Sequence, residues 1–206
     1  HDELRRQRQM CIRDSTKSNK IESFDHNLCD MIIGVSNKPK DTQGLLRKLK
    51  ENALKSIDIV KDKVTDFNLY DEENINIFSH LDFLEDYLKP YFKAAVGNYK
   101  ITMDAKKEFL NSKLDIYKIS ELMNSHHNYL KKDLKITTPE IDNMIDVSIE
   151  NGAIGSKIVG SGGGGSIVSL STNSNTSNRI VSELKSAGVK DAFIARKGRG
   201  PTIYYE

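Results

Sequence analysis

The chain reads as an α+β protein, a helical block followed by a four-stranded antiparallel sheet whose end runs β-β-α-β-β. Three observations predict this. Apolar residues recur at three- and four-residue steps through much of residues 42–149. Two short β-rich runs, 153–159 and 166–170, then flank a stretch dominated by glycine. After one further helix, runs 191–196 and 202–205 are joined by Lys197-Gly198-Arg199-Gly200-Pro201, a turn-rich link that suits a hairpin. Helices stacked on one face of an antiparallel sheet make the class α+β.

In chain order, residues 27–35 form a mostly apolar run closed by Asn37-Lys38-Pro39, which suits a buried strand. Thr42 can cap the helix that follows, because Leu45, Leu46, Leu49, Ala53, Ile57 and Val60 share one face. A polar link, 70–74, leads to a helical middle in which Ile77, Leu81, Leu84, Tyr87 and Leu88 form a stripe. There Pro90 marks a kink or a helix start, and 92–110 continues with helical spacing. Another helix spans about 115–134. Thr138-Pro139 reads as N-cap and first helical residue, with Asn151-Gly152 as the stop. Residues 171–178 read as a polar loop, and 179–187 as the helix that ends at Gly188.

With 206 residues the chain holds one domain, or one and part of another. Its 37% apolar and 29% charged residues exclude fibrous and wholly disordered classes. No run approaches the roughly 18 apolar residues of a membrane span, and the N-terminus lacks a signal peptide's apolar stretch, so a cytoplasmic location is expected. Two cysteines, Cys11 and Cys29, build no disulfide framework, and no Cys/His spacing points to zinc. Residues 1–20 hold six basic and three acidic residues, leaving the remainder near neutral, without a nucleic-acid footprint. The string Gln9-Met10-Cys11-Ile12-Arg13-Asp14-Ser15 looks like translated sequencing-adapter read-through. Residues 1–20 are therefore expected to be a non-native or disordered tail.

Gly160-Ser161-Gly162-Gly163-Gly164-Gly165 satisfies G-x-G-x-x-G, yet the dinucleotide fingerprint needs a helix at its third glycine, and 166–170 is β-rich. A P-loop needs Gly-Lys-Ser/Thr, and Ser166 follows Gly165 directly. Neither His-Arg-Asp nor Asp-Phe-Gly occurs, which excludes the protein-kinase loop. A glycine-rich connection between strands remains. Each glycine costs roughly 0.5–1 kcal/mol against alanine, so proximity to a phosphate or substrate is one way to offset the cost; a purely structural turn is the other reading.

Residues Gly152-Ala153-Ile154-Gly155-Ser156-Lys157-Ile158-Val159, running on through the glycines to Ser166, resemble the third, C-terminal motif of the GHMP kinases, small-molecule kinases that include galactokinase and mevalonate kinase. Upstream, Leu122-Met123-Asn124, His127, Leu130 and Ile136-Thr137-Thr138-Pro139-Glu140-Ile141-Asp142 resemble the "LMN…H…L…VSxPELD" stretch of galactokinases. The resemblance covers about 115–170. It implies that residues 21–206 are a GHMP kinase C-terminal lobe with part of the inter-lobe crossover, from an ATP-dependent kinase acting on a sugar hydroxyl. It further implies that the catalytic residues and Mg2+ ligands lie in an N-terminal lobe outside this chain, which is then inactive alone. The partners implied are the sugar, ATP and that lobe, with no nucleic acid or membrane. The loop Gly160, Ser161, Gly162, Gly163, Gly164 and Gly165 is then the substrate- and phosphate-proximal element, with Lys157 and Thr42 as possible additions. Two features depart from galactokinases: Thr42-Gln43-Gly44-Leu45 stands where they carry Ser-x-Tyr-Asn, and Gly163-Gly164 with Ser166 replaces Gly-Phe-Gly-Gly-Cys. The alternatives are a non-catalytic sugar-sensing module, a free regulatory domain, or a mevalonate-kinase-like member acting on a non-sugar alcohol.

The remaining candidates have plainer readings. His126 and His127 are about 100° apart on a helix and do not converge on a metal, so one packs or caps. Glu140 and Asp142 suit a helix start by charge alone. Lys157 either faces a phosphate or lies on a solvated strand face; Lys197 and Arg199 are turn charges, and Cys29 is core.

Overall fold

The computed structural model describes residue 26 and residues 29–38, 43–70, 77–160 and 162–195. Strand β1 (Asp30–Val35) leads to helix α1 (Gln43–Lys63), a 3-10 segment (Ile77–Phe83), α2 (Lys89–Leu110) and α3 (Ile116–Asn128), which ends in a π-turn (Tyr129–Asp133). Then come α4 (Pro139–Glu150), β2 (Gly155–Val159), β3 (Ser166–Ser171), α5 (Ser174–Ser186) and β4 (Asp191–Ala195). The strands form one antiparallel sheet in the order β2-β3-β1-β4. The expected class is therefore found, with a change of membership. The N-terminal strand lies between β3 and β4, while the expected strand 202–205 falls outside the described residues, as do residues 1–20.

One sheet face makes the main core. Ile32, Ile158, Ile167 and Ala192 alternate along four strands and are fully buried, against Ile141 and Met144 of α4 and Ile180 and Leu184 of α5. On the same face the Ser156 and Ser169 hydroxyls, both buried, hydrogen-bond each other at 2.8 Å, so neither is left unpaired. A second core, centred on Val60, Leu88, Phe92 and Val96, fastens α1 to α2 and the 3-10 segment. Edge strand β2 is closed by a side chain: Asn124 of α3 accepts from the Ser156 N–H at 2.9 Å and donates to the Ile154 carbonyl at 3.3 Å. Its amide imitates a neighbouring peptide and blunts an edge that would otherwise invite pairing.

Three expected boundaries shift. The stripe at 77–88 is not α-helical: Leu84 bonds to Leu81 and Leu88 to Glu85, both across three residues, and the α-helix begins at Lys89 with Pro90 in its first turn. The helix expected over 115–134 changes winding at Tyr129, where the Leu134 N–H reaches back five residues to the Tyr129 carbonyl. Helix α5 starts five residues before the expected 179, because Asn173 accepts from the Thr176 N–H and makes a cap of residues that look like loop. The cap at Thr138, which accepts from the Ile141 N–H, is as expected. Among the described residues no helix is long and apolar enough to cross a membrane.

Candidate functional site

The last pair of the β2–β3 ladder is Val159 with Ser166, and the connection between them is the glycine segment. Gly162, Gly163, Gly164 and Gly165 all have positive φ, at 76°, 71°, 120° and 92°. An L side chain pays about 1–2 kcal/mol in left-handed helical backbone, so a run of four such residues selects glycine on conformational grounds.

The loop is held from two sides. The Gly163 N–H donates to the Ile136 carbonyl at 2.8 Å. On the other side the Gly165 N–H donates to Ser36 Oγ at 3.1 Å, and the Ser36 N–H donates back to the Gly165 carbonyl at 2.7 Å. The two supports are themselves joined, because the Asn37 N–H donates to Glu140 Oε1 at 2.6 Å. Ile136 is brought into place by the π-turn and by Lys135, a non-glycine residue at φ 52°. Such strain next to a glycine loop marks a segment fixed by its surroundings. At Gly162 a Cβ would lie 2.6 Å from the Ile136 carbonyl oxygen, so the chain passes there in backbone-to-backbone contact. Gly162 and Gly164 are buried, and Gly163 and Gly165 are half-buried. Chemically the loop offers a fixed backbone segment without reactive side chains, and successive glycine N–H groups are the kind of element that meets an anion.

Of the residues expected at the site, Gly160 and Gly162 to Gly165 are brought together, while Ser161 and Thr42 lie outside the described residues, as do Lys197 and Arg199. Lys157 is not on a solvated face. It is half-buried against helices α2 and α3, and burial pushes its ammonium pKa down. His126 lies beside it, its pKa lowered to about 4 by burial first and then by the charges of Lys157 and His127. His127 is buried with neither ring nitrogen partnered; burial lowers its pKa while the Asp142 carboxylate pulls the other way. Asp142 pairs with Lys131 at 3.3 Å. Cys29 precedes β1 half-buried, its thiol pKa raised by burial. Among the described residues no three His, Cys, Asp or Glu side chains group to hold a metal ion.

Ser36, Asn37, Ile136 and Glu140 were missed as loop supports. Ser36 lies 129 positions from Gly165 and Asn37 lies 103 from Glu140, and neither pair carries a local spacing that signals contact.

Residues 105–190 match the family model "GHMP kinases C terminal". Galactokinase of Actinobacillus succinogenes is 35% identical over 85 residues, 38% of this chain and 22% of that protein. Mevalonate kinase of Pyrococcus horikoshii is 33% identical over 90 residues, 42% of this chain and 26% of that protein. Among solved structures, Lactococcus lactis galactokinase complexed with galactose superposes with a TM-score of 0.72 at 21% identity, over 89% of this chain and 50% of that one. L. major mevalonate kinase in complex with R-mevalonate gives 0.55 at 19% identity, over 85% of this chain and 44% of that one. The matched region is thus at most about half of these relatives.

Proposed function

We propose, for a chain that carries a GHMP kinase C-terminal domain over residues 105–190, that it is the loop-bearing lobe of an ATP-dependent kinase phosphorylating a sugar hydroxyl in the cytoplasm. The observation that carries the reading is the run of positive-φ glycines clamped between Ile136 and Ser36. Phosphoryl transfer is chiefly positioning and charge stabilisation. A fixed backbone edge contributes to both without a reactive side chain. ATP would supply the phosphoryl group and Mg2+, when bound, would neutralise its charge, with their ligands and the catalytic residues in the N-terminal lobe. The lobe occupies residues 21–206 with part of the crossover, and residues 1–20 are a tail outside it. The galactokinase similarity supports a sugar acceptor. One observation favours a second reading, a non-sugar alcohol: the mevalonate kinase match is of nearly equal identity.

The test joins this chain to the N-terminal half of a galactokinase and, separately, of a mevalonate kinase, and follows ATP-dependent phosphorylation of galactose and mevalonate. Galactose turnover by the first hybrid and none by the 206 residues alone is expected. Mevalonate turnover only would select the second reading. Galactose binding without phosphorylation in either hybrid would replace the kinase with the sugar-sensing module, and turnover by the chain alone would refute the division of labour.

A further inference from the structure

On the side of β2 occupied by Lys157, helices α2 and α3 line an open cavity of about 480 Å³. Its walls are Ile101, Ala105 and Phe109 of α2 and Ile119, Leu122 and Met123 of α3. The volume lies within the ~300–1,000 Å³ of small-ligand sites, and the mixture of apolar wall with a few convergent polar groups is theirs as well. Lys157 and His126 stand at this wall, and among the described residues no acidic side chain lines it. The ammonium of Lys157 donates to the carbonyl of the next residue, Ile158, at 2.9 Å. Hydrogen bonds to one carbonyl leave the remaining N–H donors of an ammonium to spend.

We propose that this cavity binds an amphipathic monocarboxylate, an apolar chain or ring with one anionic head, and that Lys157 receives the head. Charge complementarity selects this class. A neutral apolar occupant would leave a desolvated ammonium uncompensated, which is costly, whereas a carboxylate compensates it through a charge-assisted hydrogen bond. A polyphosphate fits less well, because apart from Lys157, His126, Lys106 and Thr102 the wall is apolar. No carboxylate contributes to the perturbation of either Lys157 or His126, and burial lowers both pKa values, so a bound carboxylate would supply a counter-charge that the described wall lacks. The site is separate from the glycine loop in its chemistry but shares strand β2 with it, so an occupant bears on the strand that carries the loop.

Octanoate and 1-octanol, titrated calorimetrically into the chain, test the proposal independently of any kinase activity. Octanoate should bind at least about tenfold more tightly than octanol, and Lys157→Met, which keeps the apolar stem, should remove that difference. Ala105→Phe fills the cavity from a half-buried helix position and should weaken both ligands while leaving the circular dichroism unchanged. Equal octanoate binding by the wild type and Lys157→Met, or no octanoate binding by the folded wild type, overturns the proposal. So does binding that disappears when the chain is joined to an N-terminal lobe, since the cavity would then be a lobe contact.

Discussion

Replacing Gly162 with alanine separates the conformational demand of the loop from its packing. Gly188 is the matched reference, since its φ is +82° against +76° at Gly162, and a Cβ at 188 meets nothing within 4 Å. Gly188→Ala therefore carries strain alone, about 1 kcal/mol. Gly162→Ala carries the same strain and also places a Cβ 2.6 Å from the Ile136 carbonyl oxygen, the acceptor of the Gly163 N–H. Relieving that overlap adds about 1–3 kcal/mol of overpacking and weakens a hydrogen bond worth about 0.5–1.5 kcal/mol. The total is about 2.5–5.5 kcal/mol, or a fall of about 5–22 °C in melting temperature against about 2–4 °C for Gly188→Ala. Gly44→Ala, in the first turn of α1 with open space around its Cβ, should stabilise by about 0.5–1 kcal/mol. Urea unfolding of the three variants measures the differences. If Gly162→Ala lies within about 1 kcal/mol of Gly188→Ala, the contact with Ile136 does not hold the loop and the reasoning fails.

Asn124→Leu leaves the Ser156 N–H and Ile154 carbonyl without their partner and should cost about 1–3 kcal/mol, with faster hydrogen exchange at the Ser156 amide; unchanged protection there would show that Asn124 does not close the edge. The folded-state pKa of His126 is about 4, below its ordinary 6.5, so the unfolded chain binds the proton first. Its contribution to stability is complete above pH 6.5 and is lost as the pH falls from 6.5 to about 4. His126→Gln should flatten that slope, and an imidazole resonance of His126 titrating near 6.5 by NMR would contradict it.

The fold was legible where one short stretch contains both the signal and its cause. Thr138-Pro139 caps and opens α4, and Ile141, Met144 and Ile145 face the core as their spacing requires. The glycines were likewise legible, because four consecutive positive φ values permit little else. Hidden were the features decided by distant partners. Polar Ser174 to Asn178 look like loop, yet Ser177 is buried and donates to Asp30 at 2.7 Å, 147 positions away. A lysine among apolar strand residues suits a solvated face until α2 and α3 are seen to cover it. Gly162 illustrates the limit within the loop. Its sequence context suggests space kept for a ligand, whereas the space is occupied by the Ile136 backbone. The loop therefore divides into a packing position, Gly162, and a position such as Gly164 where the backbone angle alone selects glycine.

That division makes Gly164 the most direct probe of whether this loop serves phosphoryl transfer. In the chain joined to an N-terminal lobe, kcat/KM and melting temperature are measured together for Gly164→Ala. A Cβ at φ 120° reshapes the loop backbone, so kcat/KM should fall about 10²-fold, the usual effect of misplacing one preorganised donor. The melting temperature should fall by no more than about 2–4 °C. A loss of stability as large as that of Gly162→Ala, with kcat/KM of the folded fraction unchanged, would contradict the account and assign the glycine loop to the fold alone.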